Sequence, residues 1–364
     1  MSPKIGMLKD NLLKELACLE LNLARLKCLT LLLTSLLRQR TVNLTILATE
    51  NLTGAKNESC YRRFQNFFLN SNLCLPSVSR LILQKIPKPT RGWTLSMDRT
   101  NWKYGKRHIN ILTLGVVVNE VAIPIVWKVL PQTTKRGNSN TNHRITLLTK
   151  VLRLMKAEDI FVLTMDREFG GKKWLQWLDR QEVGYIVRIK SNIVVGSKLA
   201  SEHRTSSQSR GKVLYRQEVW GMDLFFSCKV IQSKGRRDER LYVLSNRFNG
   251  KEALELYQLR WGIELLFSHL KKRGFDLEAT HMTQAEKLEK LFALVSLAFL
   301  FSFAWGCHLR VTRKPTAATK RKSLFRLGLE DILRLLNNPH LDQADRDTFV
   351  EWLHQPFPPS NFVV

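Results

Sequence analysis

The sequence predicts an α/β fold in which a mixed β-sheet flanked by helices is interrupted by a β-rich insertion and bracketed by helical N- and C-terminal regions. Three observations lead there. Apolar residues up to about residue 85 recur at helical spacing, residues 93–189 read as β-β-β-α-β-α-β, and the pattern from residue 285 onward is helical again.

Leu8, Leu12, Leu13, Leu16 and Leu19, then Leu26, Leu29, Leu33, Leu36 and Leu37, define a first helical unit, residues 1–88. Its basic cluster Tyr61-Arg62-Arg63-Phe64 suits a helix facing a polyanion and equally a solvated helix edge. Ile86-Pro87-Lys88-Pro89-Thr90 breaks helix and strand alike and marks a boundary. Within residues 89–190, strands are expected at Trp93–Asp98, His108–Asn119 and Val121–Leu130, followed by an Asn-rich loop at 137–142 and a helix from Arg144 to Lys156. A further strand, Ile160–Met165, ends in Asp166; a helix at Trp174–Arg180 and a strand at Val183–Ile189 follow. Residues 191–245 are Ser- and Arg-rich with short β-like pieces, and are expected to form the insertion. In 246–284, Asn249 and Glu252 have the spacing of a capping box that opens one long helix to about Arg273. The last unit, 285–364, is helical and basic, without an acidic residue between Lys290 and Leu329. Its most apolar run, Leu291–Trp305, is about 15 residues, short of the roughly 20 that span a bilayer, and is expected to be a buried helix.

Composition narrows the function. The 364 residues carry 58 Lys+Arg against 31 Asp+Glu, a net charge of +27. An uncompensated charge of that size repels itself and attracts polyanions, so nucleic acid is the expected partner, with an acidic membrane surface second. The six cysteines are scattered with no Cys-x-x-Cys pair, and the eight histidines form no His-Glu-x-x-His motif, which excludes a zinc site or a disulfide framework as the organising chemistry. No phosphate loop or Gly-x-Gly-x-x-Gly occurs, so no nucleotide cofactor is expected. The opening residues, Met-Ser-Pro-Lys with acidic residues among the leucines, make a poor signal peptide, and the expectation is a cytoplasmic protein with no membrane segment.

Two aspartates stand out. Asp98 lies in Leu-Ser-Met-Asp-Arg-Thr and Asp166 in Leu-Thr-Met-Asp-Arg-Glu-Phe-Gly, each expected where an apolar strand stops. Strand ends of open α/β sheets are where ligands bind, and paired carboxylates share hard divalent cations. Two such ions about 3.5–4 Å apart assist phosphodiester cleavage. Taken singly, each Asp is better explained as a turn cap. In the long helix, Tyr257, Arg260, Glu264 and Lys271 fall within an arc of about 60° on a helical wheel, on an otherwise apolar segment. A charged stripe there must face a ligand, a wet cleft or an internal partner. Glu264 suits a third metal-binding carboxylate, with Arg260 and Lys271 placed for phosphate. Glu168 and Asp159 are expected to be surface or turn residues.

Tyr257-x2-Arg260-x3-Glu264-x6-Lys271 resembles the Tyr-Arg-Glu-Lys motif of bacterial insertion-sequence transposases of the DDE type, with Asp98 and Asp166 in the places of that family's two aspartates. The resemblance spans about 93–310. It implies a ribonuclease-H-like core with Asp98 and Asp166 on its first and fourth strands, and cut-and-paste transposition in which Asp98, Asp166 and Glu264 hold two Mg²⁺ ions, with Mn²⁺ as a substitute. Tyr257, Arg260 and Lys271 would grip DNA near the cleaved end. Double-stranded DNA, both element ends and target, is the implied partner. A homodimer in the DNA complex, held through residues 285–364, and a bacterial cytoplasm with nucleoid association are implied as well. End recognition is assigned to residues 1–88. Hairpin-forming relatives carry a Trp just before the Glu helix on which a flipped base stacks; here Leu241 stands there, with Tyr242 beside it as the expected stacking ring and Trp220 as another candidate. The alternatives are a structure-selective nuclease of the same superfold and a catalytically inactive DNA-binding relic.

Overall fold

The computed structural model describes residues 3–50, 54–131, 139–203, 212–231, 239–314, 316–338, 343–355 and 357. Residues 137–138 of the Asn-rich loop, 204–211 and 232–238 of the insertion, and 358–364 of the C-terminal unit lie outside the described residues.

The early leucine periodicity folds into α1 (Pro3–Glu15), α2 (Leu23–Gln39), α3 (Leu44–Ala48), α4 (Asn57–Asn70) and α5 (Leu75–Lys85). The Asn22 side chain starts α2 by accepting the Arg25 N–H at 2.9 Å, satisfying one of the donors a helix leaves open at its first turn. Three antiparallel strands follow, β1 (Trp93–Tyr104), β2 (Arg107–Val118) and β3 (Val121–Val129). The β2–β3 turn is Asn119-Glu120, both with positive φ, the tight hairpin geometry that matches strand twist. Next come α6 (Thr141–Leu152), opened by a capping box between Asn140 and His143, then β4 (Ile160–Met165), α7 (Lys172–Arg180) and β5 (Tyr185–Arg188). The order β-β-β-α-β-α-β matches the sequence expectation.

The insertion holds two two-residue strands, β6 (Val194–Val195) and β7 (Lys198–Leu199), then β8 (Lys212–Val219), β9 (Met222–Ile231) and β10 (Glu239–Ser245). It does not form a layer of its own. β10 pairs antiparallel with β5, from Val243↔Arg188 to Ser245↔Ile186, and the sheet continues to eight strands in the order β3-β2-β1-β4-β5-β10-β9-β8. Among the described residues the parallel pairings of this sheet are β1 with β4 and β4 with β5, and the rest are antiparallel, giving the mixed sheet of a ribonuclease-H-like fold.

The expected long helix is two helices, α8 (Gly250–Gln258) and α9 (Trp261–Leu270), with Leu259 and Arg260 at the joint. Asn249 occupies the N-cap position, but its side chain makes no cap; the Gly250 N–H instead donates to Ser227 Oγ at 3.0 Å, so packing on β9 replaces the expected capping box. The remaining helices are α10 (Ala285–Thr312), α11 (Ala317–Lys320), α12 (Leu324–Asn337) and α13 (Gln343–His354).

α10 is long and apolar enough to cross a bilayer by length and composition, yet it is buried within the fold. It packs against α2, α5, α12 and β3, which is why its sequence is apolar on every side. At the α10–α12 crossing the backbones touch: a Cβ on Gly306 would stand 1.8 Å from the Leu324 carbonyl oxygen, and one on Gly328 1.8 Å from that of Ser302. The acid-free run that ends at Leu329 is not free charge. Glu330 pairs with Lys322 and Arg326, and Asp331 with Arg313 and Arg334. Helices of the first unit share this core, and α1 packs on α13. There the Lys85 ammonium pairs with Glu15 at 2.7 Å and donates to the Leu353 carbonyl at 2.8 Å, while His354 meets Glu15 at 3.3 Å.

Candidate active site

Side chains alternate faces along a strand. In β1 the even residues Thr94, Ser96 and Asp98, and in β4 Val162 and Thr164 with Asp166 beyond, share one face because Met97 pairs with Met165. That parallel register sets Asp98 and Asp166 side by side. β1 does not stop at Asp98, as the sequence suggested; it runs to Tyr104 against β2, and what ends at Met97 is its pairing with β4. The two aspartates therefore sit where the sheet opens between β1 and β4, the usual ligand position in such sheets.

α8 and α9 cover this face. Small buried residues beneath, Ser96 and Thr164, let α9 close in, and Ser96 Oγ bonds the Arg260 carbonyl at 3.4 Å. Gly262 fixes the other side of α9: a Cβ there would lie 2.8 Å from the Glu120 carbonyl oxygen in the β2–β3 turn. The break at Leu259–Arg260 places Arg260 between the carboxylates. Its Nη1 lies 3.3 Å from Asp98 Oδ2, and its Nη2 donates to Glu264 Oε1. The guanidinium also stands over the Tyr257 ring, 5.7 Å from its centroid, and the Tyr257 hydroxyl donates to Asp166 Oδ1 at 3.5 Å. Asp98 Oδ1 accepts the Arg99 N–H at 2.7 Å.

Burial pushes the Asp98 carboxyl up to about 7, opposed by the Arg99 N–H and Arg260 and reinforced by the charges of Asp166 and Glu168. Tyr257 is pushed up by burial and by Asp166, so its phenol stays protonated and available as a donor.

Five of the seven sequence-derived residues thus converge: Asp98, Asp166, Tyr257, Arg260 and Glu264. Lys271 does not join them. It follows the end of α9, where its ammonium donates to the Asn101 carbonyl at 2.9 Å and pairs with Glu278 at 2.8 Å. The single-helix wheel had put Lys271 in line with Glu264, but α9 ends at Leu270. Tyr242 is a core residue, 5% exposed and stacked on Phe226 with ring centroids 6.3 Å apart, and so presents no face to a base. Trp220, at the β8–β9 turn, borders the turn after Asp166: its ring edge is 3.6 Å from where a Cβ on Gly170 would be, four residues beyond Asp166.

Residues 85–301, more than half of the chain, match the family of the transposase DDE domain. The chain belongs to this family. No curated protein matches it. The match begins at the end of α5 and runs into α10, so the DDE domain contains the whole sheet and all three carboxylates.

DDE transposases generally use divalent metal ions. Among the described residues no group of three His, Cys, Asp or Glu stands close enough to hold one ion, and Arg260 bridges two of the three carboxylates. The donor set nevertheless fits a hard cation. It is all carboxylate oxygen, and a cation would offset both the burial that pushes the Asp98 carboxyl up and the added repulsion of Asp166 and Glu168.

Sequence reasoning missed the support of this DDE domain's site. Glu168 lies in the turn after β4, within the surface-or-turn expectation, but its carboxylate has partners there: it pairs with Arg99 at 3.3 Å and accepts from Ser139 Oγ at 3.4 Å. Arg144 of α6 is 7% exposed; it donates to the Ser139 carbonyl at 2.7 Å and the Glu168 carbonyl at 2.9 Å, and stacks over Phe169. It clamps the turn that follows Asp166. The only sequence signal was an Arg within an apolar helical pattern.

Proposed function

We propose that this transposase acts on the terminal inverted repeats of a bacterial insertion sequence by cut-and-paste, with Asp98, Asp166 and Glu264 as its catalytic and metal-binding carboxylates. The observation that carries the reading is the Met97↔Met165 register, which brings the two aspartates together under a helix joint that supplies Glu264, Arg260 and Tyr257. Two Mg²⁺ ions, or Mn²⁺ in their place, supply Lewis-acid stabilisation of attacking and leaving oxygens when bound. Asp98, Asp166 and Glu264 hold them.

In the first step the oxygen of water bonds to phosphorus at the element end and the 3′-oxygen leaves as a hydroxyl. That hydroxyl then attacks the opposite strand, and the resulting hairpin is reopened before strand transfer into a target. Arg260 offers a planar fork to the scissile phosphate. Tyr257 stays protonated and donates a hydrogen bond. Lys271, tethered at Asn101, flanks the exit of the site as a point charge. Trp220 is the aromatic platform within reach of the Asp166 turn for a flipped base. Partners are duplex DNA, ends and target, and a second copy of the chain contacted through residues 285–364. Residues 1–88 recognise the ends. The setting is the bacterial cytoplasm, at the nucleoid.

The test is strand cleavage of a duplex carrying the gene's flanking inverted repeat, with Mg²⁺. Wild type is run beside Asp166→Ala and Glu264→Ala, with binding checked for all three. A metal-dependent nick at the repeat boundary, lost in both variants while binding persists, supports the reading, and a hairpin product adds the second step. Specific binding without cleavage by wild type means a DNA-binding relic. Cutting that ignores the repeat means a nuclease.

A further inference from the structure

A groove of about 550 Å³ opens between α4, the start of α3 and the segment Thr280–Lys287 that leads into α10. Its lining includes Arg62, Lys287, Tyr61, Gln65, Asn66 and Thr283, and no lining residue is acidic. Neither Arg62 nor Lys287 has an ion-pair partner among the described residues. Positive charge is crowded beside it. The Arg25 guanidinium donates to the Asn66 carbonyl at 3.2 Å and the Lys290 ammonium to that of Phe68 at 3.2 Å. Burial pushes Lys290 below the usual lysine range, and Arg25 and Lys287 add to this against Glu286. Cations gathered in excess of their counter-charge repel one another, and a polyanion removes that repulsion.

The groove also lies in line with the carboxylates. β1 runs six residues from Asp98 to Tyr104, about 20 Å at about 3.3 Å per residue. There the Tyr104 ring stacks on His281, with centroids 5.4 Å apart, and Arg107 across the hairpin donates to Thr283 Oγ1 at 2.8 Å. His281 and Thr283 both line the groove. Successive phosphates of one DNA strand advance about 3.4 Å along the duplex axis, so about 20 Å along that axis corresponds to about six nucleotides.

We propose that this groove is a second DNA contact, which seats the backbone of the bound duplex about six nucleotides inward from the phosphate at Asp98 and Asp166. Arg62 and Lys287 meet the phosphates, and the side-chain amides of Gln65 and Asn66 complete the wall. The proposal takes the duplex substrate from the function proposed above and assigns it a second surface, one that sequence reasoning had reduced to a basic cluster at Arg62.

The test is fluorescence anisotropy of a labelled 30-base-pair duplex between 50 and 200 mM salt. It compares wild type, the Arg62→Gln/Lys287→Gln double variant and the Arg62→Lys/Lys287→Arg double variant. Each lost phosphate contact removes about 0.9 from the slope of log affinity against log salt. Over that range wild type should therefore lose about twelvefold more affinity than the glutamine variant. The charge-conserving variant should keep the wild-type slope. An unchanged slope in a glutamine variant of wild-type melting temperature overturns the proposal, as does a charge-conserving variant that loses the slope. If the slope falls as expected while wild type never cleaves DNA, the groove stands and the catalytic reading fails. Cleavage with an unchanged slope is the converse.

Discussion

Asp98 carries the most strained charge in the site. Its folded-state pKa, about 7, lies above the ordinary carboxylate value, so its protonated form stabilises the fold. That contribution is fully present below about pH 4 and is lost as pH rises through about 7. In metal-free protein, the melting temperature of wild type should therefore fall relative to Asp98→Asn between pH 4 and 7; parallel curves would refute this. Cation binding needs the ionised carboxylate, so Mn²⁺ affinity measured by calorimetry should rise about tenfold per pH unit below 7 and level off above it. Arg260 moderates both effects, since its Nη1 lies 3.3 Å from Asp98 and its Nη2 bonds Glu264. Arg260→Gln removes a charge that favours the Asp98 anion, and its metal-free stability profile should shift to higher pH. At this scale the sequence was informative wherever chemistry and local context coincide. The repeated Met-Asp-Arg placed both aspartates, and the spacing from Tyr257 to Glu264 placed three more residues. Tyr242 was misjudged because its neighbour Leu241 faces α8, which sends the next ring into the core on Phe226.

Elements show why other features were hidden. Nothing between Gln258 and Trp261 is a helix breaker, so periodicity alone describes one helix through Arg273; the joint exists because α8 and α9 pack on different strands. Arg144 was equally illegible, since its partner Glu168 lies 24 residues away, on the turn after β4. Arg144→Leu leaves the Ser139 and Glu168 carbonyls without their charged donor and should cost about 2–3 kcal/mol of stability. Arg144→Lys should restore part of that stability. If Arg144 positions the Asp166 turn, both variants lower kcat for strand nicking more than they change DNA affinity; a loss of affinity alone would contradict that role. The α10–α12 crossing makes a second demand. Gly328→Ala drives a methyl group into the Ser302 carbonyl, and thermal unfolding should register a loss of about 3 kcal/mol.

For the whole molecule, the charge of +27 sets behaviour toward DNA more than any single contact. With 6–10 phosphate contacts, affinity for element ends should fall by orders of magnitude when salt rises from about 50 to 200 mM, and a flat titration would refute that. In the C-terminal basic run, Arg313, Lys322 and Arg326 are held in ion pairs with Asp331, Asp345 and Glu330. Charge-neutral substitutions in that run should therefore change the salt slope less than those at Arg62 and Lys287. The pairing of α1 with α13 acts over a still longer range. Glu15 and His354 are 339 positions apart in the chain. At a synthesis rate of about 5–20 residues per second, α1 waits roughly 20–70 s on the ribosome before the helix that covers it has been made. During that time the sheet and its carboxylates can assemble, but the clasp around Lys85 stays open. Closing that clasp is thus the last act of folding, possible only once α13 has been made.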